Sequence, residues 1–257
     1  SEDPHNPGSL GIAISEAIES VVKSEGKAKY ALGSVLGHVL LHQTINGNEA
    51  ILQMEQAGDY PDIIVGCTGG GSNLAGLMFP FLGQQLRGGK KIDIIGCEPL
   101  SCPSFTKGKY AYDHGDMARM TPLIKMHTLG SDFLPPANHS GGLRYHGMSY
   151  HLSHLYDLGL MRAKAYGQKD CFEAGVIFGK QEGVIPAPEA NHAVKGAIDA
   201  ALECKEKGES KTILFNLCGH GHFDMTAYDD YFSGKLADDF YDENSANQSL
   251  SNLPQIA

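Results

Sequence analysis

The chain has 257 residues, of which 42% are hydrophobic, 19% are charged, 32 are glycine and none is tryptophan, enough to bury one sizeable core or two small ones. Glycine at about 12% exceeds the usual ~7% without the triplet period of collagen or the Pro/Ser bias of a linker, so tight turns and close backbone approaches are expected. Twenty basic against thirty acidic residues leave a net charge of -10, which gives no electrostatic footprint for a nucleic-acid duplex or an anionic membrane face.

In chain order, the start Ser1-Glu2-Asp3-Pro4 is neither a signal peptide nor an initiator methionine, and it reads as internal to a longer chain. Leu10, Ile14, Ala17, Ile18, Val21 and Val22 then recur at helical spacing, with Ser9 placed to cap the start and Gly26 to end it. A short strand is predicted at 29–32, then two helices at 35–44 and 49–57 separated by the breaker Asn46-Gly47. The run Ile63-Ile64-Val65-Gly66-Cys67 predicts a buried strand, followed by Thr68-Gly69-Gly70-Gly71-Ser72-Asn73 and a helical pattern over 74–86. A second apolar strand at 91–97 closes on Glu98-Pro99 and completes a parallel βαβ crossover. Residues 100–150 are rich in Gly, Pro, His and Met with weak periodicity, as functional loops are. A helix at 151–158, a strand at 161–166, helices at 169–181 and 190–207 and a last strand at 212–217 complete the pattern. The fold class is therefore α/β, with a doubly wound, mostly parallel sheet. Residues 238–257 are polar and acidic, and a frayed tail is expected there.

No stretch of ~18 uninterrupted apolar residues exists. Six cysteines, Cys67, Cys97, Cys102, Cys171, Cys204 and Cys218, are scattered without a CxxC pair, which suits reduced thiols in the cytoplasm better than disulfides or zinc.

The glycine loop carries the chemistry. Three consecutive glycines before Ser72-Asn73 let backbone N–H groups converge without Cβ obstruction, and the helix that starts there adds its positive end. A phosphate is the natural guest, against the plainer reading of a strand-to-helix turn that needs small residues. A dinucleotide fingerprint beginning at Gly69 and Gly71 needs glycine at 74, where Leu74 stands, although Glu98 has the placement of a ribose-binding acid. A P-loop needs Gly-Lys-Ser/Thr after the turn, which is missing. A terminal phosphate monoester on a small cofactor fits best. Cys218 follows the last strand at the carboxyl edge of the sheet, where a side chain faces a ligand, against the alternative of a buried structural thiol. The histidines His220 and His222 with Asp224, or His151 with His154, lack the thiolate support of a metal site, so no side-chain metal site is expected.

Five segments taken together carry a resemblance: residues 8–17, Cys67 to Asn73, residues 142–148 (Gly142-Leu143-Arg144-Tyr145-His146-Gly147-Met148), 182–189 and 216–224. In order and over residues 1–240, they resemble the tryptophan synthase beta chain, nearest to its type 2 form, and only the carboxyl-terminal part of it. The resemblance implies pyridoxal-phosphate fold type II, with pyridoxal 5'-phosphate held through Gly69, Gly70, Gly71, Ser72 and Asn73. It implies a catalytic, ring-facing role for Glu189, and places Cys218 where most members have a serine opposite the pyridine nitrogen. A neutral partner there leaves the nitrogen unprotonated and favours β-elimination and β-replacement. Gly142, Leu143 and Arg144 fall on the substrate loop, Arg144 replacing the aspartate of type 1 chains, and loop carbonyls resemble a monovalent-cation site. The lysine that carries the cofactor in the family lies upstream of the matched region; Lys23, Lys27 and Lys29 read as a solvated face. The implied activity is a lyase of aromatic amino-acid biosynthesis that condenses L-serine with indole to L-tryptophan, as a homodimer that can meet an alpha chain. Residues 1–45 are expected to be the remainder of an amino-terminal domain, 46–237 the cofactor-phosphate domain and 238–257 a tail. An amino-terminal piece would supply the lysine, and the isolated chain is expected to be inactive. The alternatives are a serine dehydratase or cysteine synthase type of the same fold, or a non-catalytic pyridoxal-phosphate-binding subunit.

Overall fold

The computed structural model describes residues 6–238 and 240–255; the opening tetrapeptide, read above as an internal start, lies outside them. Ser9 caps helix α1 (Leu10–Lys23), its hydroxyl accepting from the Ile12 amide at 3.2 Å, and Ile14 is buried beneath it. Helix α2 (Gly37–Ala57) follows and ends on Gly58 in the left-handed region. Strand β1 (Ile63–Cys67), helix α3 (Ser72–Leu86) and strand β2 (Asp93–Pro99) form the predicted crossover, with β1 and β2 parallel and Ile63 opposite Asp93. Strand β3 (Lys109–His114) and strand β4 (Leu123–Thr128) make a separate antiparallel pair against which helix α4 (Tyr150–Asp157) packs. Strand β5 (Arg162–Tyr166), helices α5 (Gln168–Glu182) and α6 (Pro188–Lys207), strand β6 (Ile213–Phe215), and helices α7 (Met225–Phe232) and α8 (Glu243–Ser251) complete the chain.

The main sheet has the order β5-β2-β1-β6 and all its pairings are parallel. It is covered on both faces, so every residue of β1 is buried, as a doubly wound sheet requires. The strand period sorts the core: Ile64 and Ile94 pack with Leu40, Leu74, Met78 and Phe81 from the α2–α3 side, whereas Val65 and Ile95 pack with Cys171, Ala200 and Cys204 from the α5–α6 side. Each such large apolar side chain contributes about 1.5–3 kcal/mol by leaving water.

Four expectations are corrected. Residues 29–32 form no strand. The two helices split at Asn46-Gly47 are one helix, because Gly47 is where α2 crosses α3: a Cβ there would lie 2.4 Å from the Leu77 carbonyl oxygen and 2.6 Å from that of Gly76. The stretch 100–150 is not all loop, since it holds the β3–β4 hairpin. The polar tail does not simply fray: Asp242 caps α8 by accepting from the Asn244 and Ser245 amides, and Ala246 packs with Cys102, Leu129 and Phe133.

Candidate functional site

From β1 the chain crosses through α3 to β2 on one side, while β6 lies on the other, so the strand order reverses beside β1. Open α/β sheets place their ligand crevice at such a reversal, beyond the carboxyl ends of the strands. A cleft of about 580 Å³ lies there, lined by Cys67, Gly69 to Asn73, Gly142, Leu143, Glu189, Asn216 and Cys218 among others. A volume of this size suits a small cofactor. A second depression of about 570 Å³, on the α3–α4 side, has mostly apolar walls.

The floor is the glycine turn. Gly71, at φ 95°, is the left-handed N-cap of α3. The turn is wedged on three sides. A Cβ on Gly69 would sit 2.5 Å from the Gly142 carbonyl oxygen, one on Gly70 2.6 Å from Val35 Cγ2, and one on Gly71 2.4 Å from Leu152 Cδ1. Val35 itself holds φ 72° while buried, a costly conformation for a β-branched residue that concentrates strain beside a binding site. The Gly70 carbonyl accepts from the Ser149 amide at 3.0 Å. The N–H groups of Gly70, Gly71, Ser72 and Asn73 donate to no other described residue, as the first turn of a helix must leave them. Four unpartnered amides at the positive end of α3, on residues that line the cleft and whose glycines leave no room for a Cβ, fit the phosphate of pyridoxal 5'-phosphate.

The walls are tied by side chains. Glu189, in the first turn of α6, accepts from the Gly142 amide at 2.9 Å and so fixes the short 3-10 turn Gly141–Leu143 over the cleft. Asn216 donates to Asn73 Oδ1 at 2.6 Å, and Asn73 Nδ2 reaches Cys67 Sγ at 3.4 Å. Cys67 Sγ in turn lies 3.5 Å from Cys218 Sγ. That contact raises the pKa of Cys67, with burial acting the same way, and lowers that of Cys218.

The structure therefore brings together Gly69, Gly70, Gly71, Ser72, Asn73, Gly142, Leu143, Glu189 and Cys218. It does not bring Arg144 to them. Arg144 is on the expected loop but does not line the cleft; its guanidinium donates to the carbonyls of Pro7, Gly8, Pro135 and Pro136 and so fastens the segment before α1. No lysine lines the cleft. Glu98, weighed as a ribose ligand, is fully buried at the end of β2 and accepts from the Phe105 and Thr106 amides instead. Among the described residues no group of three His, Cys, Asp or Glu could hold a metal, and no helix is long and apolar enough to cross a membrane.

Sequence reasoning missed Ser34, just before α2, and Gln43 and Asn46 in the middle of it, which line the cleft. Gln43 and Asn46 are one helical turn apart and hydrogen-bonded at 3.0 Å; their i, i+3 spacing was the available signal, hidden by reading Asn46-Gly47 as a break.

Residues 32–219 match the model of the family described as pyridoxal-phosphate dependent enzyme. The chain is 59% identical over 240 residues to the tryptophan synthase beta chain 2 of Aquifex aeolicus, with 92% of this chain and 55% of that protein covered. It is 57% identical to the protein of the same name from Methanosarcina mazei, covering 91% and 53%, and 53% identical to the tryptophan synthase beta chain of Pyrococcus horikoshii, covering 100% and 55%. The chain thus spans about half the length of these relatives. Among solved structures it resembles a fungal L-serine ammonia-lyase from Rhizomucor miehei, with TM-score 0.59, 15% identity, and 84% of this chain and 64% of that one covered. A threonine deaminase gives TM-score 0.57 at 15% identity, covering 79% and 64%. At that identity the two likenesses speak to the fold alone.

Proposed function

We infer the function from one premise: the chain belongs to the pyridoxal-phosphate-dependent enzyme family, here in a fold type II α/β architecture. The proposed activity is that of the carboxyl-terminal, cofactor-phosphate-binding part of a type 2 tryptophan synthase beta chain, a lyase that condenses L-serine with indole to give L-tryptophan. The unpartnered amides of Gly70 to Asn73 at the positive end of α3 carry this reading.

When bound, pyridoxal 5'-phosphate supplies an electron sink for the α-carbon of an amino acid. The chain's own residues do the rest of the work assigned to this half. Gly69, Gly70, Gly71, Ser72 and Asn73 hold the phosphate dianion with helix-end amides. Cys218 stands as a short, uncharged partner for the ring nitrogen, in place of a carboxylate that would fix a proton there. Glu189 anchors the Gly142 amide, so the substrate-loop turn stays over the cleft, and its negative charge sets the field on the indole side. Leu143 covers the cleft and excludes water, which strengthens those interactions. Arg144 positions the loop through backbone carbonyls. Carbonyls of the 142–147 loop are proposed for a monovalent cation.

The lysine is assigned to the amino-terminal portion that these relatives have in addition. A stripe on α2 supports this division: Leu41, Ile45 and Leu52 fall on one side of the helix, 66%, 60% and 60% exposed, as suits a face covered by the rest of such a chain. The assembled protein is proposed to be a cytoplasmic homodimer that can associate with an alpha chain; six free thiols accord with a reducing compartment.

Two measurements test the reading. Isothermal titration should show the chain binding pyridoxal 5'-phosphate, with inorganic phosphate competing; absence of binding overturns it. Serine plus indole should give tryptophan only after the amino-terminal portion is added, and turnover by the 257-residue chain alone would refute the division of labour. One observation favours a second reading, a non-catalytic binding subunit: no lysine lines the cleft. Cofactor binding with no turnover after complementation selects it, and pyruvate without tryptophan selects a serine dehydratase type.

A further inference from the structure

The floor of the cleft holds two thiols. Cys67 and Cys218 are 151 residues apart in sequence and have their Sγ atoms 3.5 Å apart, both lining the same cavity. A disulfide needs about 2.05 Å between sulfurs, so a shift of about 1.5 Å joins them. Cys67 is at the end of a fully buried central strand and its sulfur accepts from Asn73 Nδ2 at 3.4 Å. Cys218 is the accessible partner: it lies beyond the end of β6 and is exposed. The other four cysteines are buried and line no part of this cleft, so an oxidant entering it meets this pair first.

We propose that Cys67 and Cys218 form a peroxide-sensitive dithiol, whose oxidation to an intrachain disulfide remodels the wall assigned above to the cofactor's ring nitrogen. That assignment rests on the functional reading; the disulfide chemistry does not. Cys218, whose pKa is lowered by its contact with Cys67, attacks one oxygen of hydrogen peroxide. The O–O bond breaks, the departing hydroxide takes a proton as water, and Cys218 is left as a sulfenic acid. Cys67 then gives up its proton while its sulfur attacks that of Cys218 and displaces hydroxide, which leaves as the second water. Two thiols and one peroxide become one disulfide and two waters. Within the cleft, the disulfide removes the thiol hydrogen that Cys218 can offer a ligand.

The test treats the intact reduced chain with one equivalent of hydrogen peroxide, blocks the remaining thiols, and maps them by peptide mass spectrometry. The expected product has lost two hydrogens, carries a linked peptide joining Cys67 to Cys218, and recovers both thiols with dithiothreitol. Cys67→Ala should stop that link and leave Cys218 as a sulfenic acid, which a second equivalent of peroxide takes to sulfinic acid. Should the variant not fold, the wild-type map decides alone. Loss of Cys218 without loss of Cys67, or a link to any other cysteine, overturns the proposal. Pyridoxal 5'-phosphate titration of the reduced chain is read separately: no binding there sinks the functional reading and leaves the thiol map as the judge of the dithiol.

Discussion

Glu98 is buried completely at the end of β2, and burial outweighs the hydrogen bonds it accepts from Phe105 and Thr106, pushing its pKa up to about 7. His192, equally buried on α6, is pushed down to about 4 by the same desolvation. The folded protein therefore keeps the Glu98 proton between pH 4.5 and 7 while the unfolded chain releases it, so this group withdraws stability as pH rises, by about 3 kcal/mol across the window. His192 acts oppositely: the unfolded chain takes a proton below about 6.5 that the folded one refuses, and stability falls on acidification. Glu98→Gln removes the first effect and leaves the second. Urea unfolding at pH 5 and pH 7.5 should show the variant gaining on the wild type at the higher pH, by up to about 3 kcal/mol; a pH-independent difference would mean that Glu98 ionises normally. A second residue-scale expectation concerns Gly69→Ala, whose Cβ meets the Gly142 carbonyl oxygen at 2.5 Å. It should weaken pyridoxal 5'-phosphate binding by at least tenfold, about 1.4 kcal/mol, in the same titration. At this scale the glycine turn was legible because its amides depend on five adjacent residues. The role of Glu98 was not: a carboxylate after a strand is visible, but the amides of residues 105 and 106 folding back on it are not. Nor could any spacing rule pair Cys67 with Cys218 across 151 residues.

Elements were legible where one period dominated. The β1–α3–β2 unit, α5 and α6 agree with their predicted bounds to within two residues, because apolar strands and amphipathic helices announce themselves. Helix α2 was split for a physical reason: Gly47 and Gly76 are there to let two backbones approach, and a packing glycine has the same letter as a breaking one. The distinction is measurable. Gly83, also helical, has only the flexible Arg87 guanidinium near its Cβ position, at 3.4 Å. Gly83→Ala should therefore raise stability by up to about 1 kcal/mol through helix propensity. Gly47→Ala gains the same propensity but collides with the backbone of α3, and overpacking of that kind costs about 1–3 kcal/mol. Opposite shifts of the two urea midpoints are expected; parallel shifts would show that the α2–α3 crossing has room to spare. The β3–β4 hairpin escaped notice since its strands mix Lys, Tyr, Asp and His with apolar residues, and its outer half is largely exposed.

For the whole molecule, the balance between composition and context decides where order ends. Residues 238–257 have too few apolar side chains to build a core of their own, which is why fraying was expected from composition. They need not build one, because Cys102, Leu129 and Phe133 already present a surface to which Ala246 adds, and Leu253 is buried as well. Gly130 shows how close that docking is: at φ 92° it has no room for a Cβ, since Ser249 Oγ would lie 2.1 Å away. A short helix such as α8 is marginal alone, so its stability is borrowed from this contact, with Asp242 supplying the cap. Ending the chain after residue 238 should then destabilise it by about 2–4 kcal/mol, the burial of Leu253 and its neighbours, and should expose Cys102. Both readouts come from one sample, a urea midpoint and the rate at which Cys102 reacts with a thiol-specific reagent. An unchanged midpoint together with an unreactive Cys102 would mean that α8 contributes nothing to the fold, and that composition alone had the tail right.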